Sequence, residues 1–135
     1  MNRLFKLEHD ALLCIFNTAF GQAISETLLA RLVITRRVFS TSIDVTDPVS
    51  QELCIGGYTN FSKIYLDDLY TGKLEYNYSA YAKHPQLKYG ISFLLFTTED
   101  RTSLEFLEIS FFDYEQLPIY LLTTELHGFY DFVAE

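Results

Sequence analysis

The apolar positions near the N-terminus follow a helical spacing. Apolar residues recur at every fourth position from Leu12 to Phe20. This stripe predicts an amphipathic helix over about residues 8–20. Gly21 ends or kinks the helix, because an interior glycine costs a helix about 1 kcal/mol relative to alanine. The same spacing continues over residues 23–32 and predicts a second, shorter helix.

Beyond the second helix the chain changes to β-branched and aromatic residues, which favour strands. Turn signals at Asp47-Pro48 and Thr71-Gly72 separate the segments, since proline fixes its own φ and restricts the residue before it. The predicted strands are residues 32–39, 52–58, 62–66, 73–81, 89–98 and 103–112. Residues 42–46 either continue the first strand or form a partner to it.

The last two strands are predicted to pair. Residues 89–98 are apolar on both faces, which is typical of a central strand. Residues 99–102 form a polar connector of hairpin length, and residues 103–112 alternate between apolar and polar positions, so the natural arrangement is an antiparallel pair. Pro118, a helical leucine spacing after it and Gly128 then predict a short C-terminal helix.

Together these elements predict an α+β fold, with an N-terminal helical segment packed on a mainly antiparallel sheet of five or six strands. The 135 residues fit a single domain, residues 1–135, because single domains most often contain about 100–150 residues. We expect a cytoplasmic protein, because no apolar run approaches the roughly 20 residues that span a bilayer and the first residues lack a signal-peptide pattern.

The negative charge is concentrated in the last quarter of the sequence. The net charge is −8, yet residues 1–98 contain nine acids and nine bases, whereas residues 99–135 contain nine acids and one base, Arg101. This distribution argues against nucleic-acid binding, which depends on clustered lysines and arginines. A basic protein is a better partner, although an acidic surface that only keeps a small domain soluble is the alternative.

The sequence contains no enzyme signature. Cys14 and Cys54 are too few and too isolated for a metal cluster, and both are predicted to be buried, reduced thiols. The glycine pair at 56–57 lacks the context of a phosphate-binding loop. Glu105 and Glu108 cannot form an acid–base pair, because positions three apart on a strand point to opposite faces. We therefore predict no catalytic, cofactor-binding or metal-binding residues.

The three histidines lack a second ligand at a metal-binding spacing, which makes a zinc site improbable on sequence grounds. His9, near a predicted helix start, and His127, next to Gly128, are interpreted as helix-end residues. His84, which precedes Pro85, is interpreted as a loop residue.

The tyrosines are clustered. Rings with a polar tip are common at recognition surfaces, because they bury a large area at modest entropic cost. Two interpretations stay open: an aromatic core whose hydroxyls reach the surface, or a binding face on which tyrosines anchor a partner and acids attract it. The clustered residues are Tyr58, Tyr65, Tyr70, Tyr76, Tyr78, Tyr81 and Tyr89.

The order of a helix, the strand segment LLARLVITRRVF, a central sheet and the paired segment YGISFLLFTTEDRTSLEFLEISFFDYEQLP resembles the immunity proteins of contact-dependent growth inhibition and related bacterial polymorphic toxin systems. The resemblance is one of overall layout, and no family residue is carried over. It implies a small, cytoplasmic, non-enzymatic protein that neutralises a cognate toxin, frequently a basic nuclease, by covering its active site or a neighbouring surface.

We therefore predict a binding module whose carboxylates pair with lysines or arginines of a toxin domain, with neither a nucleic acid nor a membrane as partner. It would act as a monomer, or as a homodimer through residues 91–98 or the Phe106 face. The alternative is a small-molecule-binding or enzymatic domain with a tyrosine-lined pocket between helix and sheet. The predicted partner-binding residues are Glu99, Asp100, Glu105, Glu108, Asp113, Tyr114 and Glu115.

Overall fold

The computed structural model describes residues 3–40, 43–44 (backbone only), 52–64, 66 and 68–135. The elements in chain order are α1 (Lys6–Ala19), α2 (Gln22–Arg31), β1 (Ile34–Phe39), β2 (Ile43–Asp44), β3 (Leu53–Cys54), β4 (Gly56–Phe61), β5 (Asn77–His84), β6 (Leu87–Thr97), β7 (Leu104–Phe111), β8 (Leu117–Pro118), α3 (Tyr120–Thr123) and β9 (Tyr130–Ala134). They form a seven-stranded antiparallel sheet in the order β2-β1-β4-β7-β6-β5-β9 and a small antiparallel pair, β3-β8.

The predicted helix pair is confirmed. At the start of α1, the Phe5 backbone N–H donates to Glu8 Oε1 at 2.7 Å, which satisfies a helix-end amide. Leu12 and Phe16 are fully buried on the face that the four-residue spacing predicts. Gly21 separates α1 from α2 with φ at 93°, a backbone conformation that glycine adopts at the least cost.

The core lies between the helices and one face of the large sheet. Phe93 and Leu95 of β6 pair with Ile109 and Leu107 of β7 in antiparallel register, as predicted for residues 89–98 and 103–112. All four side chains are buried, and α1 contacts the neighbouring strands β5 and β9. On the same face, the Thr59 hydroxyl of β4 hydrogen-bonds to Glu8 of α1. The predicted α+β class is therefore confirmed.

Three strand predictions are corrected by the structure. The segment predicted over 52–58 divides into β3 and β4, which belong to different sheets. No strand forms in the described residues of 62–66; Ile64 turns into the core, and its backbone N–H donates to Ser103 Oγ at 3.0 Å instead of to a neighbouring strand. The strand predicted over 73–81 begins at Asn77 and ends at His84. Before Asn77, the Thr97 hydroxyl donates to the backbone carbonyls of residues 75 and 76, next to a backbone hydrogen bond from Thr97 N–H to the Tyr76 carbonyl.

The C-terminal prediction is also corrected. The helix predicted after Pro118 is a single turn, α3, and Pro118 itself belongs to β8. Leu126 is 90% exposed and does not continue an apolar stripe. Residues 130–134, which lack a marked sequence pattern, form the edge strand β9 beside β5 and bring the described sheet to seven strands.

Part of the segment predicted over 42–46 forms a strand at the edge of the sheet. Within this segment, Ile43–Asp44 forms β2 and pairs antiparallel with β1. The turn predicted at Asp47-Pro48 lies outside the described residues. Among the helices that the structure describes, none combines the length and the apolar character needed to cross a membrane.

Candidate functional site

The face of the large sheet that points away from the helices carries aromatic and polar side chains. Cross-strand pairing sets Tyr58 beside Glu108, and Glu108 beside Leu94. One row further, Phe106 lies beside Phe96. Successive side chains on a strand point to opposite faces, so these five residues face away from the buried residues between them. We call this set the outer face.

Aromatic rings meet on the outer face. The rings of Phe96 and Phe106 stack with their centroids 4.7 Å apart, and the Tyr76 ring meets Phe96 edge-on at 6.4 Å. Both phenylalanines are half-buried, while Tyr76 and Tyr58 are exposed. Contiguous apolar groups at a surface are uncommon in monomeric proteins and often mark an interaction site. The outer face therefore qualifies as a recognition surface.

Two hydrogen-bond acceptors on this side of the sheet lack strong donors. The half-buried Glu108 carboxylate accepts one long hydrogen bond, from Ser110 Oγ at 3.4 Å, and forms no ion pair within the described chain. Asn60 Oδ1, beside Phe106, is buried and accepts no hydrogen bond from the described residues. Arg36, which pairs with Asn60, is exposed and does not reach Glu108. A cation or N–H donor from a partner would satisfy the Glu108 carboxylate. The buried Asn60 Oδ1 is closed to a partner in this arrangement.

Three of the predicted acids lie at the β6–β7 hairpin. Asp100 accepts hydrogen bonds from the hydroxyls of Thr98 and Thr102, each at 2.7 Å, and these bonds hold the pKa of its carboxyl below the ordinary value. Glu99 and Glu105 are exposed, and Glu105 lies at an irregularity in the β6–β7 register. Asp100 therefore shapes the turn, and the other two leave their charge in solvent.

The other three predicted residues lie in the turn after β7. Asp113 and Tyr114 both have left-handed backbones, with φ at 55° and 59°, and Tyr114 is 89% exposed. Glu115 accepts hydrogen bonds from the backbone N–H groups of Lys88 at 2.6 Å and Tyr89 at 3.3 Å. The Glu115 carboxylate thus connects this turn to the start of β6, and Asp113 is the acid of the turn that remains unpaired in the described chain.

The predicted acids do not form one patch. Strand β7 has 8 residues and separates the two turns by roughly 24 Å, at about 3.4 Å per residue. Glu108 lies between them on the outer face. The negative charge is therefore distributed along one hairpin, with a single carboxylate among the aromatic rings.

A buried ion pair was not predicted. Arg37 of β1 donates to Glu8 through Nη2 at 2.6 Å and through Nε at 2.9 Å, and its guanidinium lies 3.8 Å from the centroid of the Phe5 ring. Arg37 Nη2 also donates to the backbone carbonyl of Arg3 at 2.9 Å. These contacts hold the start of the chain against β1. The partners are 29 residues apart, and no local pattern connects them.

The interpretations of His127 as a helix-end residue and His84 as a loop residue are wrong, because α3 ends at Thr123 and β5 extends through His84. Both side chains are buried and hydrogen-bonded. The Phe129 backbone N–H donates to His127 Nδ1, so Nε2 carries the hydrogen that binds Asp10 Oδ2 at 2.9 Å. In the same way, Gln86 N–H donates to His84 Nδ1, and His84 Nε2 donates to the His127 carbonyl at 3.0 Å. Every ring nitrogen of this pair is therefore occupied by a hydrogen bond within the chain.

The cysteines are free thiols, and Cys54 is buried as predicted, whereas Cys14 is half-buried. Burial raises the pKa of Cys54 to about 11, so its thiol is protonated at neutral pH and is a poor nucleophile. No group of three histidine, cysteine, aspartate or glutamate side chains comes together as metal ligands in the part of the chain that the structure describes.

The small-molecule alternative requires a tyrosine-lined pocket between the helices and the sheet. Beside Phe20, Leu28 and Tyr70 the described residues leave only narrow gaps, which do not hold a water molecule. A cavity of about 510 Å³ opens elsewhere, between residues 70–74 and the β6–β7 hairpin, where Lys73 and Arg101 line it.

Comparison of this chain with protein-family models, with curated proteins and with solved structures gives no match. A function must therefore be inferred from the residues themselves. Among the described residues, the outer face and the turn after β7 combine exposed aromatic rings with unpaired carboxylates.

Proposed function

We propose that this chain is a non-enzymatic binding module that neutralises a basic protein, as the immunity proteins of polymorphic toxin systems neutralise their toxin domains. The observation that supports this proposal is Glu108, a half-buried carboxylate without a cationic partner in the described chain. It lies among Tyr58, Leu94, Phe96 and Phe106 on the outer face.

A partner's lysine or arginine would gain a charge-assisted hydrogen bond with Glu108. The surrounding rings would exclude water from that bond, an arrangement that concentrates binding energy at few residues. An apolar partner would instead bury the Glu108 carboxylate unpaired, which carries a large desolvation cost. The carboxylate therefore selects a cationic partner, and the rings supply the area that the partner buries.

The exposed acids at both ends of β7 have a different role in this proposal. Glu99, Glu105 and Asp113 attract a basic protein over a distance, which can raise association rates towards roughly 10⁸ M⁻¹s⁻¹ at low salt. This attraction is screened at physiological ionic strength beyond about 8 Å. The acids therefore accelerate the encounter, while the outer face determines how long the complex lasts.

We propose that neutralisation is steric and takes place in the cytoplasm, with the sheet face covering the toxin's active site or a surface next to it. Steric inhibition requires no reaction by this chain. The occupied ring nitrogens of His84 and His127 and the protonated thiol of Cys54 are in keeping with that. The binding unit would be a monomer or a homodimer.

The proposal expects a toxin domain to be encoded beside this gene, and the test is co-expression with that domain. The wild-type chain should bind that domain and restore growth of the host, and Glu108→Lys should abolish both effects because it places two cations together. Glu26→Lys, at an exposed position on α2, is the matched control and should restore growth fully. The proposal is wrong if folded Glu108→Lys protects as well as the wild type, or if the wild-type chain does not bind the domain.

A small-molecule-binding function is the second candidate, favoured by the cavity of about 510 Å³ lined by Lys73 and Arg101. Ligand pockets usually measure about 300–1,000 Å³. A thermal-shift screen with metabolites and nucleotides tests this candidate. A ligand at 100 times its dissociation constant should stabilise the chain by about 2.7 kcal/mol, and Lys73→Gln should reduce that effect.

A further inference from the structure

A shallow notch lies at the end of the sheet where β6 begins and β7 ends. It is lined by Tyr89, Phe112 and Asp113, has a volume of about 470 Å³ and is open to solvent. Tyr89 is 51% and Phe112 39% exposed, so both rings are accessible to a partner. We call these three residues the aromatic notch.

Asp113 brings an available charge to the aromatic notch. Its carboxylate forms no ion pair and no hydrogen bond within the described chain. The neighbouring Glu115 differs, because its two oxygens accept the backbone N–H groups of Lys88 and Tyr89. Glu115 thereby fixes the turn against the start of β6, and the Asp113 carboxylate remains available to a ligand.

Two rings and a carboxylate suit an organic cation. The face of an aromatic ring attracts a cation within about 6 Å of its centroid, and a carboxylate adds charge-assisted hydrogen bonds. A guanidinium group is planar, stacks on rings and offers several N–H donors, whereas an ammonium is a compact and strongly hydrated charge. Arginine therefore fits the aromatic notch better than lysine.

Lys88 shows that the notch ring accepts a cation. Its Nζ lies 5.2 Å from the centroid of the Tyr89 ring, within the range of a cation–π contact. This intramolecular cation competes for Tyr89, so an incoming cation must share the ring with Lys88 or displace it. Replacing Lys88 by methionine should remove the competition and tighten binding.

We propose that the aromatic notch binds an arginine side chain of a protein partner. This inference deepens the proposed function, on which it rests for the source of the arginine, because it names the group that the basic partner inserts. It also gives the partner a second point of attachment, just beyond the end of β7 that follows Glu108.

The test is an NMR titration of the ¹⁵N-labelled protein with the peptide acetyl-Gly-Arg-Gly-amide, and with its neutral counterpart that contains citrulline. The arginine peptide should shift the amides of Tyr89 and Phe112–Tyr114 saturably, with a dissociation constant on the order of 1–10 mM. The citrulline peptide should bind about tenfold more weakly or not at all, since it lacks the charge.

Matched variants locate the site. Asp113→Asn should weaken binding of the arginine peptide about tenfold, Lys88→Met should strengthen it about two- to threefold, and Glu26→Gln, at an exposed position on α2, should leave it unchanged. The ¹H–¹⁵N spectrum of each variant reports whether it is folded. Equal binding of both peptides, equal effects of the Asp113 and Glu26 variants, or shifts spread evenly over all acidic segments would each overturn the proposal.

The peptide titration does not depend on the toxin. If the arginine peptide fails to bind while growth protection still depends on Glu108, the notch proposal is wrong and the proposed function stands. If the peptide binds at the notch and no toxin domain is neutralised, the arginine site stands and the proposed function is wrong.

Discussion

Arg37 and Glu8 form a two-point ion pair between β1 and α1, with Nη2 2.6 Å from Oε1 and Nε 2.9 Å from Oε2. Their side chains are only 9% and 3% exposed. Glu8 also accepts hydrogen bonds from the Thr59 hydroxyl and the Phe5 backbone N–H. Because burying charges is costly, such a pair is retained only where each charge is well satisfied, and removing one partner leaves the other uncompensated.

Arg37→Met should therefore destabilise the protein by about 3–5 kcal/mol, because it leaves the Glu8 carboxylate buried without its cation. Urea unfolding followed by circular dichroism measures this loss. Arg36→Met, next to it and exposed, is the control and should change the free energy of unfolding by less than about 0.5 kcal/mol.

The double variant Glu8→Met/Arg37→Met completes a mutant cycle. It should be more stable than Arg37→Met alone, since no unpaired charge remains. If the double variant loses the sum of the two single losses, then Glu8 and Arg37 contribute to stability independently, and our account of the pair is wrong.

Stability should fall in mild acid because of His84. Burial lowers the pKa of His84 below its ordinary value of 6.5, so the unfolded chain takes up a proton at a higher pH than the folded one. The free energy of unfolding should therefore decrease as the pH falls below about 6.5, until the pH passes the folded-state pKa. Urea unfolding at pH 7.5, 6.0 and 5.0 measures the slope, and His84→Gln should flatten it.

Asp10 should affect the free energy of unfolding only at a lower pH than His84 does. Although burial opposes the shift, hydrogen bonds from Lys6 and His127 leave the pKa of Asp10 below its ordinary value of 3.8. Its contribution to stability is complete above the unfolded-state pKa and is lost only at lower pH. An unchanged slope between pH 7.5 and 5.0 in His84→Gln would therefore contradict the assignment to His84, and Asp10 could not account for it.

Arg101→Gly should stabilise the protein. The Arg101 backbone is left-handed, with φ at 58°, in the β6–β7 hairpin turn. This conformation costs a non-glycine residue roughly 1–2 kcal/mol, and the flexibility of glycine in the unfolded chain offsets part of the gain. We expect a net stabilisation of about 0.5–1 kcal/mol, seen as a higher urea midpoint. Thr102→Gly, at a position without a positive φ, should lower the midpoint; a lower midpoint for Arg101→Gly as well would contradict this account.

Elements with local patterns could be predicted from the sequence. The four-residue spacing through Leu12 and Phe16 sets α1, and the alternation around Leu107 and Ile109 sets the β6–β7 pair, because each pattern depends on residues that are close in the chain. Strand β9 could not be predicted in this way, since it is stabilised by pairing with β5, far from it in sequence.

From the sequence, only the acidic character of the candidate site could be predicted. The Asp100 carboxylate binds hydroxyls of its own turn, and the Glu115 carboxylate binds backbone amides at the start of β6. The sequence cannot distinguish these two acids from Asp113 and Glu108, which form no ion pair in the described chain. That distinction depends on turn geometry and strand register. The link between His127 and Asp10 spans 117 residues and has no local signal.

The outer face and the exposed acids should affect partner binding through different rate constants. Phe106→Ala removes half of the ring stack with Phe96, so it should raise the dissociation rate of the toxin complex and leave the association rate almost unchanged. Glu99→Lys reverses an exposed charge, so it should slow association and have little effect on dissociation.

Surface plasmon resonance at 50 and 300 mM salt separates the two effects. Association of the wild-type chain should slow as salt rises, and Glu99→Lys should show a weaker salt dependence, because fewer charges then attract the partner. Phe106→Ala should keep the salt dependence of the wild type. An association rate that does not change with salt would rule out electrostatic attraction by this hairpin. A dissociation rate unchanged in Phe106→Ala would place the interface elsewhere than on the outer face.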